Sequence, residues 1–157
     1  MYKNTEGYNS PTEGEALGRI AREERAARRA ERDNHRHSIM QRKKIYVASR
    51  YAGNIPVNIG NAVCCCQYVI SCGGIPVASH LIYPQMLNDN DHDERELGIA
   101  MGLALMALCD EVWIFRDSEG LSAGMRTEEQ EARKLRKPVR YFRMEEVPGW
   151  RSPHRKS

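Results

Sequence analysis

The sequence predicts an α/β protein of the doubly wound, Rossmann-like (flavodoxin-like) type, with helices on both faces of a parallel sheet. Two observations support this class: short β-forming runs alternate with longer helical segments, and glycine-bearing or polar turns separate them. Parallel strands joined by right-handed crossovers have all their carboxyl ends at one edge of the sheet. We therefore expect the functional loops at that edge.

Four runs are predicted strands because they are short and rich in β-branched or aromatic residues. They are residues 45–48, 75–78, 111–115 and 138–142.

Three segments are predicted helices, namely residues 58–72, 94–109 and 125–136. Glycines 73 and 74 end the first helix. Its apolar spacing predicts an inward side formed by Ile59, Ala62, Val63, Cys66 and Ile70. The second helix is apolar nearly all round, which predicts substantial burial. Between them, residues 80–93 are predicted to form a long irregular loop with one helical turn.

The 157-residue chain divides by composition into three regions. Residues 1–42 form a charged extension, with a polar, disordered start and a helix rich in Ala, Arg and Glu from residue 13. Residues 43–143 form the α/β domain. Residues 144–157 are a polar, peripheral tail from which Trp150 can pack back onto the domain.

Bulk charge and cysteine content narrow the function classes. The net charge of +3 combines both signs, so nucleic acid and membrane are not expected as main partners. No apolar run reaches the ~20 residues of a membrane span, and the start lacks the features of a secretory signal. Five cysteines without such a signal indicate reduced thiols and a cytoplasmic protein. The triplet at 64–66 is interpreted as small buried residues, because adjacent cysteines suit no zinc geometry.

Three loops are predicted to meet at the carboxyl edge, namely residues 49–54, 80–90 and 116–126. Their small, polar and aromatic residues are candidates for binding substrate or phosphate. These candidates are Ser49, Arg50, Tyr51, Gly53, His80, Ser122, Gly124 and Met125.

Glu128 is the candidate reacting group. If the last helix begins near Ser122 or Gly124, Glu128 falls in its first turn, where the helix dipole favours an ionised carboxylate. Such a group suits attack on the anomeric carbon of a sugar. The alternative is a carboxylate that only caps the helix. The acidic run at 89–93 could hold a hard cation, but its spacing favours a solvated loop. We predict no metal and no cofactor.

Four motifs resemble the nucleoside 2-deoxyribosyltransferase-like superfamily, and within it small bacterial and phage domains. They are KIYVASRYAG, GGIPVASHLIYPQML, LCDEVWIF and SAGMRTEEQEARKLRKPV, which span about residues 43–142. The resemblance implies that Glu128 is a nucleophile that accepts a deoxyribosyl group. It also implies a nucleoside or nucleotide substrate and a homo-oligomer.

One branch of this superfamily, the deoxynucleoside 5′-monophosphate N-glycosidases, resembles this chain at two serines. In that branch the residue matching Ser122 is a phosphate ligand, and another serine matches Ser49. The branch has an arginine where this chain has Tyr51, and Arg50 lies one place earlier. The carboxylate that assists the leaving base in transferases has no counterpart around Leu103.

The predicted function is cleavage of a nucleoside or nucleotide N-glycosidic bond, or 2-deoxyribosyl transfer, through a covalent glycosyl–Glu128 intermediate. The alternative is a nucleotide-binding or sensing module without turnover. A third interpretation assigns the function to residues 13–36, as an arm that contacts nucleic acid or a partner chain.

Overall fold

The computed structural model describes residues 2–3, 9–10 and 12–152. The chain separates into two compact units, Met1–Gln41 and Arg42–Ser157. The disorder predicted for the first twelve residues falls largely outside the described residues. Within that segment β1 (Tyr2–Lys3) pairs antiparallel with β2 (Asn9–Ser10).

The first unit consists mainly of one long helix, α1 (Glu13–Met40). It begins with a capping box: Thr12 Oγ1 accepts from the Glu15 amide at 3.3 Å, and Glu15 Oε2 accepts from the Thr12 amide at 2.9 Å. Its surface carries charge pairs at i,i+4, such as Arg19–Glu23. Exposed pairs of this kind support a helix only weakly, so local propensity accounts for much of α1.

The second unit alternates strands and helices. In chain order its elements are β3 (Lys44–Ser49), α2 (Ile55–Ser71), β4 (Ile75–Val77), α3 (His92–Ala107), β5 (Glu111–Arg116), α4 (Ala123–Lys134) and β6 (Val139–Arg143). Short 3₁₀ turns occur at Ser79–Leu81, Tyr83–Gln85 and Met144–Glu146. The two turns after β4 replace the single helical turn predicted there.

The four strands β3 to β6 form one parallel sheet in the order β4-β3-β5-β6. One sheet face carries Ile45, Val47, Trp113 and Phe115, which pack with Cys65 and Val69 of α2. The other face carries Tyr46, Ala48, Val112 and Ile114, which pack with residues of α3 and α4. Helices therefore cover both faces, and the doubly wound α/β prediction is confirmed.

The predicted burial of two helices was wrong. In α3 only Gly102 and Met106 are buried, while Leu97 and Ile99 are 51% and 47% exposed. Only one side of this helix meets the sheet and the turns after β4. The apolar residues on its other side are therefore exposed.

In α2, Val63 and Ile70 of the predicted inward side are exposed. The buried residues are Asn58, Asn61, Ala62, Cys65 and Val69. Apolar spacing placed Ala62 correctly but missed most of this side, which includes two asparagines. Their amides are satisfied inside the protein: Asn58 Nδ2 donates to the Tyr51 and Ala52 carbonyls at 3.0 and 2.9 Å.

The segment after β6, predicted to be peripheral, packs against the α2 face of the sheet. Met144 and Val147 are buried in that core, and Trp150 packs against it. Asn61 holds the segment by donating to the Arg151 carbonyl at 2.8 Å and accepting from its amide at 2.9 Å. Residues 153–157 lie outside the described residues.

No helix within the described ranges is both long and apolar enough to cross a membrane.

Candidate functional site

A hydrogen-bonded series of three side chains lies on the α3 and α4 side of the sheet. Tyr46, in the middle of β3, donates its hydroxyl to Glu128 Oε1 at 2.8 Å. The Ser79 Oγ lies 2.8 Å from the same tyrosine hydroxyl. Three separate elements, β3, the turn after β4 and α4, therefore meet at the Tyr46 hydroxyl.

Glu128 is among the site residues predicted from the sequence, whereas Tyr46 and Ser79 are not. One signal could have found Tyr46: the strand alternation puts it on the opposite face from Ile45 and Val47, inside a fully apolar run. A buried tyrosine hydroxyl needs a hydrogen-bond partner. No comparable signal was present for Ser79, because its position depends on how the turn after β4 folds.

The position of Glu128 in its helix corrects one expectation. Ser122 is the N-cap and α4 begins at Ala123, so Glu128 is in the second turn and the first turn has no acidic residue. The predicted stabilisation by the helix dipole therefore does not apply, because that effect fades beyond the first turn.

Burial dominates the ionisation of Glu128 instead. It raises the pKa of the carboxyl from 4.5 to about 7, against the opposing effect of the Tyr46 hydrogen bond. Protonated and ionised forms are therefore both populated near neutral pH. Burial and the neighbouring Glu128 also raise the pKa of Tyr46, so this phenol remains a hydrogen-bond donor.

Ser49 and His80 form a second polar pair at the same sheet edge. Ser49 ends β3 and is buried, and its Oγ lies 2.9 Å from His80 Nε2. Burial lowers the pKa of His80 to about 4, so the imidazole is neutral at physiological pH. The Tyr51 ring meets the imidazole edge-on, with centroids 6.4 Å apart. Because Nε2 is engaged by Ser49, a ligand would meet Nδ1, which is a donor or an acceptor according to the tautomer.

Arg50 clamps the first loop to the third. Its guanidinium forms a two-point ion pair with Asp117 at 2.6 and 3.1 Å and reaches Glu119 at 3.4 Å. Burial of the Asp117 carboxyl opposes ionisation, but the hydrogen bonds and charge of Arg50 hold its pKa below the usual value. The arginine charge, which the sequence analysis assigned to phosphate binding, is thus compensated within the protein. Asp117 was not among the sequence candidates.

The third loop presents its candidates at the start of α4. Ser122 Oγ accepts from the Met125 amide at 3.3 Å, which leaves the serine proton available to a ligand. Gly124 is exposed, whereas the Met125 side chain is buried in the core beside α3. A ligand could therefore reach Ser122 and Gly124, but not the thioether of Met125.

Gly53 has a structural task in the first loop. Its φ of +100° lies in the left-handed region, which side chains other than glycine rarely adopt. It precedes Asn54, the N-cap of α2. The structure thus gives Gly53 a role in the turn that leads into α2, and its binding role stays a prediction.

Two cavities lie on the α2 side of the sheet. One, of about 10 Å³, has room for a single water beside Ser49, Arg50, Asp117 and Trp150. A larger groove of about 250 Å³ lies at the amino ends of the strands, beside Lys43, Trp113 and Phe142. In that groove Glu111 is already paired with Lys43 and with Trp113 Nε1. The candidate site is the edge that carries Glu128, where several loops present polar groups after strand ends.

The acidic run at 89–93 is used for helix capping. Asp91 Oδ1 accepts from the Asp93 and Glu94 amides at 3.0 and 3.1 Å, at the start of α3. Across the part of the chain that the structure describes, no cluster of three or more His, Cys, Asp or Glu side chains could hold a metal ion.

The fold and this edge define a Rossmann-like α/β protein with a half-buried carboxylate, Glu128, near the loops that follow its strands. The chain belongs to a family described as a domain of unknown function, DUF7768, whose model matches residues 43–142. No curated protein matches the sequence significantly.

Among solved structures, a 2-deoxyribosyltransferase from the psychrotolerant bacterium Bacillus psychrosaccharolyticus is similar. The TM-score is 0.52 at 18% identity, over 64% of this chain and 72% of that chain. At this identity the likeness establishes a shared fold, in agreement with the superfamily resemblance of the sequence motifs.

Proposed function

We propose that the domain binds a nucleoside or nucleotide and cleaves or transfers at its N-glycosidic bond, with Glu128 as the nucleophile. The observation that carries the proposal is the 2.8 Å hydrogen bond from Tyr46 to Glu128 Oε1, at the loop-bearing edge of the sheet. The bond fixes one carboxylate oxygen and leaves the other free to react. The shared fold with a 2-deoxyribosyltransferase supports the same substrate class.

In the proposed reaction the free carboxylate oxygen attacks C1′ of the sugar. A C1′–O bond forms while the C1′–N bond breaks, and the base leaves with the electron pair and takes a proton from water. Water, or a second base, then attacks C1′ and loses a proton to solvent, while the C1′–O bond breaks and Glu128 leaves as a carboxylate. The donated hydrogen bond of Tyr46 stabilises that carboxylate as a leaving group.

The remaining candidates have binding roles in this proposal. The neutral His80 and the Tyr51 ring face the base, since an imidazole and a phenol ring suit a flat heterocycle. Ser49, Ser122 and the amide of Gly124 take sugar hydroxyls or a 5′-phosphate. The Ser122 proton, which its capping bond does not use, supports this assignment.

A nucleotide-binding or sensing role without turnover is the second candidate. The observation that favours it is the lack of a second acid: among the described residues, Glu128 is the only carboxylate hydrogen-bonded to Tyr46, Ser79, Ser49 or His80. Hydrolysis of a poor leaving base normally benefits from a general acid.

The test is a panel of deoxynucleosides and their 5′-monophosphates, with free base measured by chromatography. We expect release by the wild type and by Glu129→Ala, and none by Glu128→Ala. Glu129 is a matched control, because it lies on the same helix but is bonded to Tyr141 and Arg133. Equal release by Glu128→Ala would overturn the proposal. Tight binding without release by the wild type would favour the sensing role.

A further inference from the structure

We propose that Ser79 is a positioning residue for this site: its hydroxyl orients the Tyr46 hydroxyl toward Glu128, and Gly102 supplies the space that the contact needs. The inference rests on the proposed role of Glu128. It adds Ser79, which contacts Tyr46, and Gly102, which leaves room for that contact.

Four elements meet at the Tyr46 hydroxyl. Tyr46 is 1% exposed within β3, and Ser79 is 8% exposed at the start of the turn after β4. Glu128 belongs to α4 and Gly102 to α3. A serine at the start of a 3₁₀ turn commonly bonds nearby backbone, but Ser79 Oγ instead lies 2.8 Å from a side chain 33 positions away.

The direction of these hydrogen bonds follows from the chemistry of Glu128. An ionised carboxylate only accepts, so the single proton of Tyr46 is committed to Glu128 Oε1. The phenolic oxygen can then only accept from Ser79. The proton order is therefore Ser79 to Tyr46 to Glu128, and each donation strengthens the next one. Without Ser79, the tyrosine would lose both an orienting partner and part of its donor strength.

Gly102 provides a second and independent observation. A Cβ built at this position would lie 2.9 Å from Ser79 Oγ, 3.1 Å from Ser79 Cβ and 3.5 Å from the Tyr46 hydroxyl. Glycine is less favourable than alanine inside a helix, and Gly102 does not have a positive φ. Its use here is therefore spatial: it allows α3 to approach closely enough for Ser79 to reach Tyr46.

Few titratable groups act on the hydrogen-bonded series of Ser79, Tyr46 and Glu128. The titratable groups that act on Tyr46 are Glu128 and Cys109. Burial raises the pKa of the Cys109 thiol to about 11, so it carries no charge at neutral pH. Tyr46 is the hydrogen-bond partner that acts on Glu128. A change at Ser79 should therefore appear in the titration of Glu128 rather than elsewhere.

The first arm of the experiment follows the Glu128 carboxyl of the full chain by ¹³C NMR as the pH is varied. We expect Ser79→Ala to raise the titration midpoint by about half a pH unit, a threefold loss of ionised form below the midpoint. Gly102→Ala should give a similar rise, because the new methyl group displaces Ser79.

Two matched controls should leave the midpoint unchanged. Ser71→Ala removes an exposed hydroxyl that bonds backbone, and Gly98→Ala lies one turn earlier on α3, 3.3 Å from the end of a leucine.

The second arm measures kcat and KM for base release against pH. In Ser79→Ala and Gly102→Ala, the pH at which kcat rises should shift by the same amount as the NMR midpoint. KM should be nearly unchanged. An unshifted midpoint in both variants would overturn the inference, and so would a shifted midpoint without a shift in the pH at which kcat rises. Gly102→Ala keeps the test valid if Ser79→Ala does not fold. If the wild type releases no base, the proposed function fails, while the NMR midpoints still test the Ser79 contact.

Discussion

The hydroxyl of Tyr46 donates to Oε1 of Glu128 across 2.8 Å, linking residues that lie 82 positions apart in the chain. Tyr46 belongs to the buried strand β3. Glu128 lies in the second turn of α4, the helix that follows the neighbouring strand β5. Because burial alone would favour the neutral carboxyl, this donation is what keeps the ionised form accessible near neutral pH.

The first prediction concerns Tyr46→Phe. Removing a donor to a charged acceptor should raise the pKa of Glu128 further above its value of about 7, by about one unit, or ~1.4 kcal/mol. Carboxyl ¹³C NMR measures this directly. Tyr141→Phe is the control, since Tyr141 donates to the neighbouring carboxylate, Glu129. A Glu128 midpoint that is unchanged by Tyr46→Phe would contradict the hydrogen bond.

The second prediction concerns stability and pH. Burial raises the pKa of Glu128 from 4.5 unfolded to about 7 folded, so the folded state holds the extra proton between these values. The unfolding free energy should therefore fall as the pH rises through this window, by at most about 3 kcal/mol. Urea unfolding of wild type and Glu128→Gln checks this, because the variant lacks the titrating group and should lose this part of the slope.

Glu129→Gln serves as the control for that experiment. Hydrogen bonds from Tyr141 and Arg133 lower the pKa of Glu129, so it is ionised throughout the same window. Its replacement should change the unfolding free energy by an amount that does not vary with pH there. A difference between wild type and Glu128→Gln that stays flat over the window would refute the raised pKa.

The third prediction concerns the clamp between Arg50 and Asp117. Their side chains are 21% and 9% exposed, so Arg50→Met leaves a nearly buried carboxylate without its partner. We expect a loss of about 2 kcal/mol in unfolding free energy. Lys134→Met is the control, because its pair with Glu131 is 73% and 27% exposed and should cost under about 0.5 kcal/mol. Equal losses would show that the clamp is no stronger than a surface pair.

The fourth prediction concerns the thiols. Cys72 is exposed, whereas Cys65 and Cys109 are buried. Burial also raises the pKa of Cys66 to about 11, which suppresses its thiolate. Labelling of the native protein with a coloured disulfide reagent should show a fast phase that Cys72→Ser removes and Cys109→Ser keeps. A fast phase that survives Cys72→Ser would place a different thiol at the surface.

The fold was predictable from sequence because each element has a local signal. The run at 45–48 is apolar on both sides, as a central parallel strand requires, and glycines 73 and 74 mark the end of α2. The helix faces were harder. The inward side of α2 contains Asn58 and Asn61, whose amides bond carbonyls of the preceding loop and of the segment after β6. Apolar periodicity could not identify these two residues and selected Val63 and Ile70 instead.

The site was predictable only in part. Glu128 follows from its position after a strand and turn, but its ionisation does not, because burial outweighs the helix dipole that the sequence suggested. Arg50 was predicted to bind phosphate from its place after β3. The fold pairs its charge with Asp117, and no sequence pattern indicates that contact. Ser79 and Gly102 carry no sequence signal at all, since their contact arises only when α3 packs against the turn after β4.

The central claim is that Glu128 forms a covalent bond with the sugar during turnover. The most direct measurement is mass spectrometry of protein quenched in acid during reaction with the best substrate from the nucleoside panel, followed by digestion. The proposal predicts one glycosyl adduct on the peptide that contains Glu128, absent in Glu128→Gln and retained in Glu129→Gln. Rapid base release with no adduct on that peptide, or an adduct on another residue, would contradict it.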